Sequence, residues 1–162
     1  MRSQLQSMAP AAEPAPAEQD RLLAFIARLC LVLIFPFSCL NKIFDYQSAI
    51  AQAAHGWIPL PPAVAALLLV LGGTLEVAGP PCILFGFYRR QAALLFIFYV
   101  IATAVLFHNF WDFPFNGDKW NDNFWPFLKN FGLAGGFLYI AADAKMQSLR
   151  GAFSFSPREA QK

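Results

Sequence analysis

Charge is scarce in this chain. Only 14% of its 162 residues are Asp, Glu, Lys or Arg, against about 25% in a soluble domain. That shortage excludes a soluble enzyme with an ordinary hydrated surface, a coiled coil with charged flanks, and a polar disordered chain. Twelve basic and ten acidic residues leave a net charge of +2. There is no broad basic field, so nucleic acid is not an expected partner. Histidine occurs only at His55 and His108, without the spacing of a helical metal pair. Cysteine occurs only at Cys30, Cys39 and Cys82, each apolar-flanked and none in a C-x-x-C pair, which favours structural thiols over a redox couple. Cys39 follows Pro36-Phe37-Ser38, a poor lipoprotein cleavage box. Walker, Rossmann and nucleophile-elbow patterns are missing, and Asp118, Asn121 and Asp122 do not follow the calcium-loop spacing. Neither a metal nor a covalently bound cofactor is expected.

Apolar and aromatic residues fill the space that charge leaves. The chain is 57% hydrophobic and 16% aromatic, with 18 Phe. Four apolar runs stand out: Leu22–Phe44, Pro61–Tyr88, Gln91–Trp111 and Phe124–Ala142. Each is close to the roughly 20 residues that cross a bilayer, so the expected fold is an all-α integral membrane four-helix bundle. Residues 1–20 alternate Ala, Pro and Glu and are expected to be a disordered tail. They lack the basic start and apolar run of a signal peptide. Residues 21–143 form the transmembrane domain and 144–162 a basic tail. Between the first two spans, residues 45–60 read as a short interfacial helix ending at Gly56, with Trp57 at headgroup level. Residues 112–123 read as a polar loop between Trp111 and Trp125.

Basic residues are distributed unevenly. Arg2, Arg21, Arg89, Arg90, Lys145, Arg150, Arg158 and Lys162 belong to one side of the membrane, whereas the other side's loops carry Lys119 with Asp45, Asp112, Asp118 and Asp122. The positive-inside rule then places both termini in the cytoplasm. LNKIFD at 40–45 and FHNFWD at 107–112 are offset by 67 residues, and Pro59 meets Pro126 at the same offset. Two parallel helix pairs, or a chance match in an aromatic-rich chain, both account for this echo.

Several polar residues interrupt the spans: Arg28, Asn41, Lys42, Glu76, His108, Asn109, Lys129 and Asn130. A charge at a helix centre costs about 2.5–3.5 kcal/mol on insertion scales, so these groups should face one another or water. Gly72 and Gly73 lie one turn before Glu76, and Gly132 and Gly136 share a stripe with Lys129. Small residues permit close helix contact, so Glu76 and Lys129 both point into the bundle. Asn41, Lys42, His108, Asn109, Lys129 and Asn130 fall in the outer half of their helices, Glu76 near the midplane and Arg28 in the inner half. Gly79-Pro80-Pro81 removes two amide donors after Glu76 and breaks the helix there, freeing carbonyls beside the carboxylate. The resulting expectation is an outward-opening polar cavity with Glu76 at its floor. Plainer roles stay open beside it: Arg28 and Glu76 as a structural ion pair, Lys42 snorkelling to headgroups, and His108 capping a helix end.

These segments together carry a family resemblance. FSCLNKIFD, HGWIPLPP, LEVAGPPCILFGFYRR, LFHNFW and FLKNFGLAGG occur in the order seen in the DoxX family of small four-helix membrane proteins. The chain resembles that family over Arg21–Asp143. The double proline after Gly79 departs from the pattern. The resemblance implies a membrane protein akin to the quinone-side subunit of a thiosulfate:quinone oxidoreductase, or to members tied to redox defence and to maturation of periplasmic redox enzymes. Fold membership does not transfer chemistry.

The leading expectation is a redox-associated inner-membrane subunit that binds quinone or another small molecule. Glu76 would relay protons or accept from the ligand, and His108 would exchange protons near the mouth. Asn41, Lys42, Asn109, Lys129 and Asn130 would hold and orient the ligand, with Arg28 balancing Glu76 from below. Any catalysis would belong to a membrane oxidoreductase of which this chain is a subunit. Expected partners are the lipid bilayer, a redox enzyme supplying electrons, and a second copy meeting through the Gly132–Gly136 stripe. A small carrier or channel and a non-catalytic scaffold or assembly factor are the competing classes.

Overall fold

The computed structural model describes residues 18–153, with side chains described from residue 19 to residue 145. The expected tail before Glu18, and Arg158 and Lys162 after the last helix, lie outside the described residues, as does the side chain of Arg150. Every regular element is helical: α1 (Glu18–Val32), α2 (Ile34–Phe44), α3 (Tyr46–Ala54), α4 (Pro62–Phe85), α5 (Arg89–Phe107), a 3-10 turn (Phe110–Asp112) and α6 (Asp118–Phe153). Helices α1 and α2 are one rod interrupted at Leu33. Leu33 N still donates to Leu29 O at 3.0 Å. Pro36 then has no N–H to offer Val32, which places the interruption here.

Three segments are long and apolar enough to cross a membrane: Gln19–Phe44, Pro62–Phe85 and Arg89–Asp112. The fourth expected span, Phe124–Ala142, lies inside the 36-residue α6, which does not meet that description. Its Lys129, Asn130 and Asp143 dilute the apolar run. Two expected boundaries also move. Helix α6 begins at Asp118, inside the segment expected to be a loop, and continues to Phe153 through the start of the expected tail. Helix α1 already includes residues 18–20.

The largest difference concerns the double proline. Helix α4 passes through Pro80 and Pro81 and ends at Phe85, so the expected break at Gly79-Pro80-Pro81 does not occur. At Gly79, just before the two prolines, the helix comes close to its neighbour. A Cβ on Gly79 would lie 2.3 Å from the Phe96 ring. The helix stops instead at Gly86, whose φ of 89° returns its N–H to Cys82 O at 3.1 Å. The internal echo is imperfect too, since Pro59 lies in the coil before α4 and Pro126 within α6.

Helix α5 runs along α6, while α4 packs against α2, α3 and α5. The core is a set of rings and small side chains. Phe96 and Phe137 stack with centroids 4.8 Å apart, and Phe35 tilts onto Phe96 at 4.4 Å. Val32, Ile83, Ala93, Val100 and Ala141 close around them. Outside this thin core the surface is apolar: Phe37, Leu67, Val70, Phe98, Leu138 and Tyr139 are all exposed. Hydrocarbon is the solvent such a surface suits.

The short helix α3 is where the sequence placed it. Asp45 caps it by accepting from Ser48 N at 3.4 Å. Beyond it, Gly56 passes close to Leu106, where a Cβ would lie 2.4 Å from the carbonyl oxygen, and Trp57 N donates to that oxygen at 2.9 Å. Trp57 meets Trp111 edge-on at 5.6 Å, and Phe110, Trp120, Phe124 and Phe127 extend the cluster. This aromatic collar marks one end of the bundle. Arg21, Arg89, Arg90 and Lys145 lie at the other by the alternating direction of the helices.

Candidate functional site

Glu76 sits midway along α4 with 2% of its surface exposed. A bare carboxylate is untenable at such a position, and three neighbours satisfy it. Lys42 Nζ on α2 donates to both oxygens, at 2.7 Å to Oε1 and 2.8 Å to Oε2. Tyr99 OH on α5 donates to Oε1 at 2.7 Å, and Ser38 Oγ donates to it at 3.1 Å. Lys42 also donates to Ser38 Oγ at 2.7 Å. Ser38 and Lys42 are one helical turn apart, so a single face of α2 delivers both.

Glycine makes the geometry feasible. A Cβ on Gly72 would be 3.2 Å from the Tyr99 ring, so its absence lets the tyrosine lie across α4 and reach Glu76. On the other flank a Cβ on Gly73 would be 3.6 Å from Cys39 Sγ, and the Cys39 thiol faces Gly73 O at 3.8 Å. The expectation that Gly72 and Gly73 mark the contact face of α4 matches this packing. The expectation for Arg28 does not. Among the described residues Glu76 forms its ion pair with Lys42, and Arg28 is not a partner. Arg28 lies instead within electrostatic reach of Arg89, whose Nε donates to Ile83 O at 3.1 Å. Ile83 is seven residues beyond Glu76 on α4, about 10 Å along the axis at 1.5 Å per residue. The difference is one of depth: Lys42 is level with Glu76 and Arg28 is below it.

A cavity of about 280 Å³ opens beside this network. Helices α2, α3, α4, α5 and α6 all contribute to its wall. Six of the expected residues line it: Asn41, Lys42, Glu76, His108, Lys129 and Asn130. Two do not. Arg28 is at the other end, and Asn109 turns away to donate its side-chain amide to Asp112 Oδ2 at 2.8 Å. His108 is the C-cap of α5, its backbone N–H donating to Ala104 O at 3.2 Å. Its plainer role as a helix-end residue therefore coexists with its place on the wall. Ser38, Tyr99, Gln52 and Thr103 also line the cavity and were not anticipated. Ser38 carried a signal, standing one turn before Lys42. Tyr99 carried a fainter one, a hydroxyl at the centre of a mostly apolar helix that has one other, on Thr103.

The two sides of the cavity differ. Around Glu76 every polar group is engaged. On α6, Asn130 is only 8% exposed, yet among the described residues its amide makes no hydrogen bond, and Lys129 beside it forms neither an ion pair nor a hydrogen bond. His108 lies within electrostatic reach of Lys129. Among the described residues there is no group of three or more His, Cys, Asp or Glu suited to a metal ion. The three cysteines are unpaired, with Cys39 buried and Cys30 exposed.

The chain is similar in sequence to known proteins. Two inner membrane proteins of Escherichia coli (strain K12) align with most of the chain. YphA is 36% identical over 120 residues, covering 74% of this chain and 81% of its own length. YqjF is 31% identical over 117 residues, covering 72% and 79%. No solved structure matches the chain. Residues 23–109, from α1 through α5 to the start of the 3-10 turn, match DoxX, and with three apolar spans and these relatives the chain is an inner-membrane protein of the DoxX family.

Proposed function

We propose that this protein is a four-helix inner-membrane subunit that binds quinone, or a small molecule of similar head size, in a polar cavity open to the periplasm, and serves a redox enzyme partner there. The single observation carrying this reading is a cavity of about 280 Å³ whose wall pairs the buried Glu76 carboxylate, neutralised by Lys42, with the Lys129 ammonium and the Asn130 amide, which make no hydrogen bond among the described residues. Helix α6 acts as the fourth span. With Arg21, Arg89, Arg90 and Lys145 at the end away from the cavity, both termini lie in the cytoplasm by the positive-inside rule.

In this reading the Glu76–Lys42–Tyr99–Ser38 network is the floor of the site. It fixes the wall and supplies a polarisable surface beneath the ligand, while His108 exchanges protons nearer the mouth. Electrons come from the partner, since none of the described side chains forms a metal cluster or a dithiol pair. The carrier reading rests on the internal echo, whose proline positions fall in different elements, and on a break in the second span, where the helix instead runs on through Pro80 and Pro81.

Purification from native membranes followed by mass spectrometry of retained lipophilic molecules, with quinone exchange into the protein held in nanodiscs, tests the proposal. Bound quinone that exchanges with an added short-chain analogue is the expected result. Well-folded protein that neither retains nor takes up any quinone would overturn it, and substrate uptake by vesicles containing this chain alone would favour transport.

A further inference from the structure

On the α6 wall of the cavity the Lys129 ammonium and the Asn130 amide make no hydrogen bond or ion pair among the described residues, and that constrains the ligand. We infer that Lys129, Asn130 and His108 form an oxyanion subsite, and that the ligand's head carries an ionised oxygen, as in a carboxylate or an acidic hydroxyl beside a carbonyl. This rests on the cavity being a binding site and specifies the chemistry it selects.

The charges facing the cavity support it. Lys42 and Glu76 neutralise one another at 2.7 Å. Asp45 also lines the cavity and carries a negative charge there, but it is the N-cap of α3 and forms no ion pair with Lys129 among the described residues. Lys129 is left as the cation with no anion against it among the described residues. Its neighbour Asn130 is 8% exposed, and its amide, which makes no hydrogen bond among the described residues, opens onto the same cavity. Lys129, itself exposed, lies one turn below Trp125 on α6, inward of the aromatic collar. An ionised oxygen would accept from the ammonium and the amide together, and such charge-assisted hydrogen bonds are about twice as strong as neutral ones. His108 supplies a third polar edge. The network around Glu76 cannot do this job, since Lys42 is already committed to a carboxylate.

A matched probe pair tests the subsite in the intact protein in nanodiscs: neutral 1,4-naphthoquinone and its 2-hydroxy derivative, an acid ionised at neutral pH. The wild type is expected to bind the ionised probe about tenfold more tightly than the neutral one, as one charge-assisted contact implies. Lys129→Met should abolish the preference, and Asn130→Asp should reverse it. Lys119→Met, outside the cavity, should keep it. Equal binding of the two probes by the wild type, or a preference that survives Lys129→Met, would overturn the subsite while leaving the cavity reading in place. Binding of neither probe by folded protein would remove both.

Discussion

Replacing Lys42 with Met removes the one cation that meets Glu76 while keeping the length of the side chain. The carboxylate, 2% exposed, would retain Tyr99 and Ser38 as donors but lose both of its charge-assisted bonds. Removing one member of a buried ion pair costs about 3–5 kcal/mol, because the remaining charge stays desolvated. Lys42 is itself 28% exposed on the cavity side, so water reaches the vacated position and the expected loss is near the lower limit, about 3 kcal/mol. Glu76→Gln with Lys42→Met leaves a neutral amide that still accepts from Tyr99 and Ser38, so the double variant should recover most of that loss. The assay is equilibrium unfolding of the detergent-solubilised protein for the two single variants and the double one. A coupling energy of about 2 kcal/mol or more is expected from groups in direct contact, within the range of such cycles. A coupling below about 0.5 kcal/mol would refute the reasoning, since it would mean that the pair is solvated and Glu76 is not the buried floor of the site.

Gly79→Ala should destabilise the protein by about 1–3 kcal/mol in the same assay, because its Cβ would collide with a Phe96 ring held by Phe35 and Phe137. Trimming that ring by Phe96→Leu in the same chain should recover part of the loss. Gly132→Ala and Gly135→Ala should be neutral or up to about 1 kcal/mol stabilising, as nothing lies within 4 Å of either new methyl group. A loss of a crosslinked dimer in these two variants, with the monomer still folded, would instead identify this face of α6 as a contact between copies. For the topology, Ser48→Cys should react with a membrane-impermeant maleimide added to intact spheroplasts, and Lys145→Cys only after the membrane is permeabilised. The opposite pattern would invert the proposed orientation.

Much of this protein is written in its residue order. Three of four expected spans coincide with apolar helices, because a chain with so few charges has no other solvent to offer its backbone than itself and lipid. Helix α3 begins at Asp45, whose side chain caps it, and Trp57 sits in the aromatic collar beside it. The polar interruptions were informative for the same reason. A charge in an apolar helix must find company, and Gly72 and Gly73 on the face of Glu76 indicated where a neighbour could approach. Six of the eight residues singled out on that basis share one cavity wall.

Periodicity says which residues share a face of one helix, and nothing about the rotation or height of that helix against the next. Arg28 and Lys42 are both basic, both on the first rod and both plausible companions of a buried carboxylate. Vertical offset alone puts Lys42 against Glu76 and Arg28 near Arg89. The proline pair shows the same limit: a motif that locally favours a break is carried through an intact helix, beside the point where Gly79 and Phe96 interlock across two helices. Residue order alone therefore established the solvent, the helical content and the set of groups that had to be brought together. Which of those groups are spent on one another, and which stay free for a ligand, was settled by distances between helices, and distance is what controls an ion pair in a medium that screens so little.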